Sequence, residues 1–323
     1  MRGPKVTAPR VVGSSETPVA APRRRTSHIV LGAAILTLGT LAVALRKTDA
    51  HIECGPGFIA RAPRCLGCPP PLVAQGQACD APDVRIAIPE TTLAVGPSDW
   101  EAEGRVAPRL VHVAPFAIDA FEATVAKVER HASSDGARAA TNLTRDEAAA
   151  YCAVRGGRLP TEDEWMVAAA SGGAPGSAPG APADEGRVRR YPWGDTGAVC
   201  RRAAWGLERG PCAHGALGPD SVGAHPDGDT PTGIHDLAGN VAEWVAGVTG
   251  VTGAAGVTGD LPSPRGTYGI ARGGSYRTAL ATELRTWSRM EIPVSSRNPD
   301  VGVRCAYEGA SGTAIPGYPR RSP

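Results

Sequence analysis

Residues 29–45 (IVLGAAILTLGTLAVAL) carry no charged side chain, and this run governs everything that follows it. As a helix rising 1.5 Å per residue it would extend about 25 Å, the short end of what crosses a bilayer. A cleaved signal peptide has a short basic leader and a small-residue cleavage site. Here 28 residues precede the run and Arg46-Lys47 follow it directly, which favours an uncleaved anchor. Gly32 and Gly39 interrupt it and it has no polar face, so a buried core helix fits poorly. Arg23, Arg24 and Arg25, with Arg2, Lys5 and Arg10, put the basic charge on its N-terminal side. The positive-inside rule then predicts a cytoplasmic basic tail over 1–28 and a single-pass anchor over 29–45 in the cell (inner) membrane. The rest of the chain is exported. A net charge of +2 argues against a nucleic-acid partner.

Export decides how the eight cysteines are read, because an oxidising compartment and an even count favour disulfides. Cys54, Cys65, Cys68 and Cys79 fall in residues 51–82 with the spacing C-x10-C-x2-C-x10-C. A zinc site normally shows two close pairs and this segment has one. It is therefore expected to be a small stalk module with two disulfides, in any of three connectivities.

From residue 83 the texture changes. "VRIAIPETTLAV" and "RLVHVAPFAIDAFEATV" are rich in β-branched residues and predict strands. Thr144 with Glu147, and Thr161 with Glu164, have capping-box spacing and predict two helix starts. The first helix should bury Ala148, Tyr151, Cys152 and Arg155 and stop at Gly156-Gly157; the second should bury Trp165, Ala168 and Ala169 and stop at Gly172-Gly173. Residues 172–186 and 248–260 read as loops, "VGVRCAY" as an alternating closing strand, and 309–323 as a disordered tail. About 225 residues (83–308) with mixed strands and helices predict one α+β domain.

Five stretches, "GGRLPTEDEW", "YPWGD", "GIHDLAGNVAEW", "ARGGSY" and "VGVRCAY", occur in the order seen in one family. On them, residues 83–308 resemble the formylglycine-generating enzyme, or sulfatase-modifying factor, domain family. The resemblance implies a compact α+β formylglycine-generating-enzyme fold with little regular secondary structure, related to C-type lectin-like folds. In this chain it would stand behind an N-terminal transmembrane helix. Active members use copper and oxygen to oxidise a substrate cysteine to formylglycine. Their "HDLAGNVAEW" segment is a calcium site, which carries over here as Asp236 and Glu243 through side chains and Gly239 and Val241 through carbonyls. Hard oxygen ligands in a glycine-bent loop suit Ca²⁺. The alternative is that Asp236 and Asn240 only cap local turns. Cys152 and Cys305 match a structural disulfide of the family. Cys200 and Cys212, in a divergent loop, are left to pair with each other, so no thiol stays free.

In the catalysts two cysteines around the "GGSW"-like turn hold copper(I), a soft ion that prefers sulfur. Those positions here are Thr278 and, without a gap, Glu283. Neither replaces a thiolate, so copper and formylglycine formation are not expected. His112, His131, His214, His225 and His235 show no paired spacing, and the extra helical domain of iron-dependent relatives is missing. Ser275 has no G-x-S-x-G elbow and reads as a turn hydroxyl. No catalytic residue is assigned. Arg272, Ser275, Tyr276, Arg277, Thr278 and Glu283 are expected to wall a cleft, with Arg285, Trp287 and Arg289 nearby. Arginines and aromatics are common recognition anchors. The expected function is a membrane-anchored accessory module that binds a peptide or protein in that cleft. Two alternatives remain: an oxidoreductase of the same superfamily with another metal or reaction, and a stalk that makes the functional contact itself.

Overall fold

Both capping boxes form in the computed structural model, which describes residues 53–61, 63–97, 104–129, 136–170, 188–249 and 267–309. The chain divides into Met1–His51 and Ile52–Pro323, and every described residue belongs to the second unit. The apolar run 29–45, the 172–186 loop, most of the 248–260 insert and the tail after residue 309 lie outside the described residues. Among the described residues no helix is long and apolar enough to cross a membrane.

Helix α1 spans Val125–Glu129, α2 Arg145–Val154 and α3 Glu162–Ala170. At α2 the Glu147 N–H donates to Thr144 Oγ1 (3.2 Å) and the Thr144 N–H to the Glu147 carboxylate (3.0 Å). Thr161 and Glu164 repeat the exchange at α3 (3.1 and 2.8 Å). Gly156, at φ 75°, ends α2 in the left-handed region. Helix α2 buries Arg145, Ala148 and Cys152, with Tyr151 and Arg155 half-buried. In α3, by contrast, every residue from Glu164 to Ala170 is buried, not only the expected stripe. The cause is position: α3 touches both β7 (Arg109–Val113) and β9 (Ala242–Thr249), so small alanines are needed on more than one face.

Two segments differ from expectation. Val125, read with the strand segment before it, opens α1 because Thr124 accepts the Lys127 and Val128 N–H groups on its carbonyl (3.1 and 3.0 Å). "VGVRCAY" is not one alternating strand. Only its ends pair, as β12 (Val301–Gly302) and β13 (Ala306–Glu308), and all seven residues are buried. A segment enclosed on both faces loses the alternation that one wet face imposes.

Strand β5 is Arg85–Ile88, β8 Phe116–Asp119, β10 Tyr268–Arg272 and β11 Arg289–Pro293. They form two sheets, ordered β11-β10-β9-β12 and β13-β8-β5, in which only the β12–β9 pair is parallel. Strand β6 (Thr91–Val95) pairs with β7 as a hairpin. Trp165, Phe116, Ile118, Ile234, Leu237 and Val245 share the largest core cluster. A second cluster surrounds the Cys152–Cys305 disulfide and contains Trp244, Leu159 and Val303.

The cysteine-rich segment is two hairpins, β1 (Phe58–Arg61) with β2 (Arg64–Gly67) and β3 (Val73–Gln75) with β4 (Ala78–Asp80). Cys54–Cys65 closes the first and Cys68–Cys79 the second, which selects one of the three connectivities. The second hairpin is part of the body rather than a free stalk. Leu72 packs against the core cluster that contains Val84, Phe121 and Val222, and Pro71 lies so close to Gly223 that a Cβ there would meet it at 2.4 Å.

Candidate functional site

The "HDLAGNVAEW" segment reaches its place through three left-handed residues, Asp236 (φ 58°), Gly239 (φ 88°) and Asn240 (φ 54°). Gly239 donates its N–H to Gly273 O (2.9 Å), and a Cβ on it would stand 2.5 Å from Ala204 O. Only glycine combines that torsion with so close an approach. Asn240 then uses every polar group it has. Its N–H donates to Ala204 O and its carbonyl accepts the Tyr276 N–H (both 2.8 Å). Its Oδ1 accepts the Asp220 N–H (2.9 Å) and its Nδ2 donates to Glu122. One buried amide thereby ties together the 203–207 segment, the 220–223 loop, Glu122 and the turn after β10.

Glu243, on β9, is fully engaged. Its Oε1 accepts from Arg304 Nε (3.0 Å) and Nη2 (2.8 Å), and its Oε2 from the Trp165 indole N–H (2.8 Å). Arg304 completes its fan on the carbonyls of Asp119 (2.9 Å) and His235 (2.7 Å). Glu122 lies beside this pair and accepts the Val241 N–H (3.1 Å). Burial, reinforced by the Asp236 and Glu243 charges, pushes the Glu122 carboxyl well above the ordinary range; Arg304 and Asn240 oppose the shift.

In this geometry the two side chains expected at calcium already have protein partners. A cation at Glu243 would have to displace Arg304 or Trp165. Asp236 already accepts the Gly223 N–H. Gly239 is explained by its approach to Ala204. Among the described residues no group of three or more His, Cys, Asp or Glu side chains is placed to hold a metal ion.

The turn after β10 is built mainly by its own side chains. Gly273 (φ 97°) lies against Leu237 O and the Trp165 ring, and Gly274 (φ 69°) against Leu284. Ser275 Oγ donates to Asp300 (3.0 Å) and accepts the Arg277 N–H (3.2 Å), while Thr278 Oγ1 accepts the Ser275 N–H (2.9 Å). Tyr276 is wholly buried, and burial raises its pKa. Arg272 is also buried: it donates to Glu162 (2.7 Å) and to Thr286 O (2.8 Å) and lies over the Trp165 ring. Its burial lowers its pKa against the pull of Glu162.

Three of the six expected cleft residues, Arg272, Ser275 and Tyr276, are therefore internal braces. Arg285 is buried as well, and Arg289 is exposed beside Glu162 and Glu291. What faces solvent is Arg277, 44 % exposed and paired with Glu208 at 3.2 Å, together with Leu280 and Glu283; Thr278 is half-buried. The "YPWGD" motif supports this side. Tyr191 and Trp193 stack at 4.9 Å, and the Tyr191 hydroxyl donates to Ala281 O (3.2 Å).

All eight cysteines are disulfide-bonded: Cys152–Cys305 and Cys200–Cys212 as expected, and the two hairpin bridges. No thiol stands at the turn, and Thr278 spends its hydroxyl on the backbone, so the donor set does not fit copper(I). Two histidines do find carboxylates, His225 with Asp220 (3.0 Å) and His235 with Asp229 (2.8 Å), but each takes a different partner. A small pocket lined by Asp83, Asp119, Glu122, Lys127, Tyr151 and Arg155 has its Asp83 already matched by Lys127 and Arg155 (2.9 Å each). Sequence reading missed Arg304 and Glu122. The available signal was an arginine and an acid inside otherwise apolar segments.

Residues 73–309 match the family model of the sulfatase-modifying factor enzyme 1-like domain. Among relatives, a hercynine oxygenase of Mycolicibacterium thermoresistibile is 34% identical over 187 residues, 54% of this chain and 37% of that protein. An inactive C-alpha-formylglycine-generating enzyme 2 of Bos taurus is 34% identical over 170 residues, 51% of this chain and 48% of that protein. A formylglycine-generating enzyme of Streptomyces coelicolor is 32% identical over 186 residues, 54% of each chain. The chain thus spans about a third to a half of the length of these relatives. Treponema denticola variable protein 1 shares the fold, with a TM-score of 0.51 at 20% identity over 73% of this chain and 98% of that one. With the match covering most of its length, the chain belongs to the sulfatase-modifying factor enzyme 1-like domain family.

Proposed function

We propose that this chain is a membrane-anchored, exported member of its family that binds a peptide or protein segment and does not form formylglycine. The observation that carries this reading is the state of the cysteines: all eight are paired, and the family resemblance puts Thr278 and, without a gap, Glu283 at the positions of the catalysts' copper thiolates. Copper(I) needs soft donors, and a hydroxyl and a carboxylate are hard ones. Four disulfides suit an oxidising compartment, which agrees with export behind an anchor at 29–45. The likeness to a relative named as inactive points the same way.

The docking side is the solvent face of the turn. Arg277, 5.5 Å from the Tyr276 ring, stands with exposed Leu280 and half-buried Trp193 around the 277–283 segment. A guanidinium beside apolar and aromatic surface is a usual recognition anchor. Panning a randomised peptide display library on the full chain tests the reading. Enriched peptides should lose about tenfold or more in affinity on Arg277→Ala, the loss typical of a hot-spot arginine. A library with no enrichment, or stoichiometric iron or copper in the purified chain, counts against it and favours an oxidase.

A further inference from the structure

The β1–β2 hairpin carries an unexplained charge arrangement. Its register places Phe58 opposite Gly67, Ile59 opposite Leu66, Ala60 opposite Cys65, and Arg61 opposite Arg64. Cross-strand partners share a face and alternate along it, so Ile59, Leu66, Arg61 and Arg64 lie on one side. Like charges directly opposite each other weaken a hairpin. Here two arginines stand directly opposite each other at the tip, both are exposed, and among the described residues no carboxylate pairs with either. Ile59 and Leu66 stand opposite each other two positions below the tip; Ile59 is buried, whereas Leu66 is 47% exposed. Phe58, on the opposite face, is 50% exposed. The hairpin is thus basic at its tip and apolar on its flanks, and the Cys54–Cys65 disulfide keeps it closed.

We infer that this tip is a contact for the anionic headgroups of the bilayer that holds residues 29–45; the inference rests on the anchor reading proposed above. Covalent length supports that occupant. Glu53 follows Leu45 by eight positions, so the linker spans at most about 29 Å even when fully extended. Paired guanidinium groups match phosphate oxygens, and neutralising them removes the repulsion across the hairpin. Leu66 and the arginine stems suit the apolar side of a headgroup layer, where basic heads stay in water and stems do not.

Trypsin cleavage of the full chain in vesicles tests the contact, because Arg61 and Arg64 are themselves trypsin sites. The internal reference is cleavage after Arg209, whose side chain is 87% exposed. Relative to Arg209, cleavage after Arg61 should slow about thirtyfold when vesicles of phosphatidylcholine are replaced by vesicles containing phosphatidylglycerol, as two basic residues at an anionic surface predict. Arg64→Gln should return about fivefold of that protection, and high salt should remove most of it. Inorganic phosphate added to phosphatidylcholine vesicles should give none. Equal cleavage in both vesicle types, or protection by phosphate alone, overturns the inference and leaves the anchor standing. A chain that does not float with either vesicle type removes the anchor and this inference together.

Discussion

Glu243 and Arg304 meet at 2.8 Å with neither side chain open to solvent, where β12 runs parallel to β9. Because Arg304 also holds the carbonyls of Asp119 and His235, this pair fastens the closing segment of the chain to two other parts of the body. Removing one partner leaves the other charge buried and unmatched. Arg304→Met should cost about 3–5 kcal/mol in chemical denaturation. Adding Glu243→Gln to Arg304→Met should recover part of the loss, since glutamine is neutral and can still accept the Trp165 N–H. Strictly additive costs would show that the two residues do not act as a pair.

Gly239 separates packing from metal binding. Gly233 has the same φ of 88° but open space where a Cβ would go, whereas at Gly239 that atom would lie 2.5 Å from Ala204 O. Gly233→Ala should cost about 1 kcal/mol, the torsional penalty alone. Gly239→Ala should cost clearly more, about 3 kcal/mol or above, because a backbone carbonyl must move. Thermal melts with and without a calcium chelator should show the same gap and the same wild-type Tm. A chelator-dependent Tm would restore a calcium role to this segment.

The His225–Asp220 pair sets a pH window. Burial works against the His225 charge, but the Asp220 hydrogen bond and the charges of Asp236 and Asp220 outweigh it, and the folded pKa lies above the ordinary imidazole value. The His225 hydrogen bond, against an opposing burial effect, holds Asp220 below its ordinary value, with help from the His225, His214 and Arg138 charges. A raised histidine contributes in full below its unfolded pKa and loses that contribution as pH rises through the folded pKa. A depressed aspartate contributes above its unfolded pKa and loses as pH falls through the folded one. Wild type should therefore lose Tm relative to His225→Gln as pH is taken from 6 towards 9. Parallel curves across that range would contradict the assignment.

Local signals survived best in the fold. Thr144 with Glu147 and Thr161 with Glu164 made the bonds their spacing implies, because a capping box depends on residues within one turn. Long-range facts were less legible. Arg272 reads as a surface recognition residue until Glu162, 110 positions away, is seen to bury it, and Arg304 gains meaning only beside Glu243. Charge inside a core is set by partners that sequence order does not bring together. The hairpin disulfides had the same limit, since spacing left three connectivities and folding selected one.

The turn after β10 carries Thr278 and no cysteine, and all eight cysteines of the chain are paired, so formylglycine formation on copper(I) is not expected. Incubating the purified full chain with copper(I), oxygen and a cysteine-containing substrate peptide tests that claim most directly, with peptide aldehyde and bound copper measured together. The expected result is neither aldehyde nor stoichiometric copper(I), with every cysteine still paired. Copper-dependent conversion of the peptide cysteine to formylglycine would contradict it.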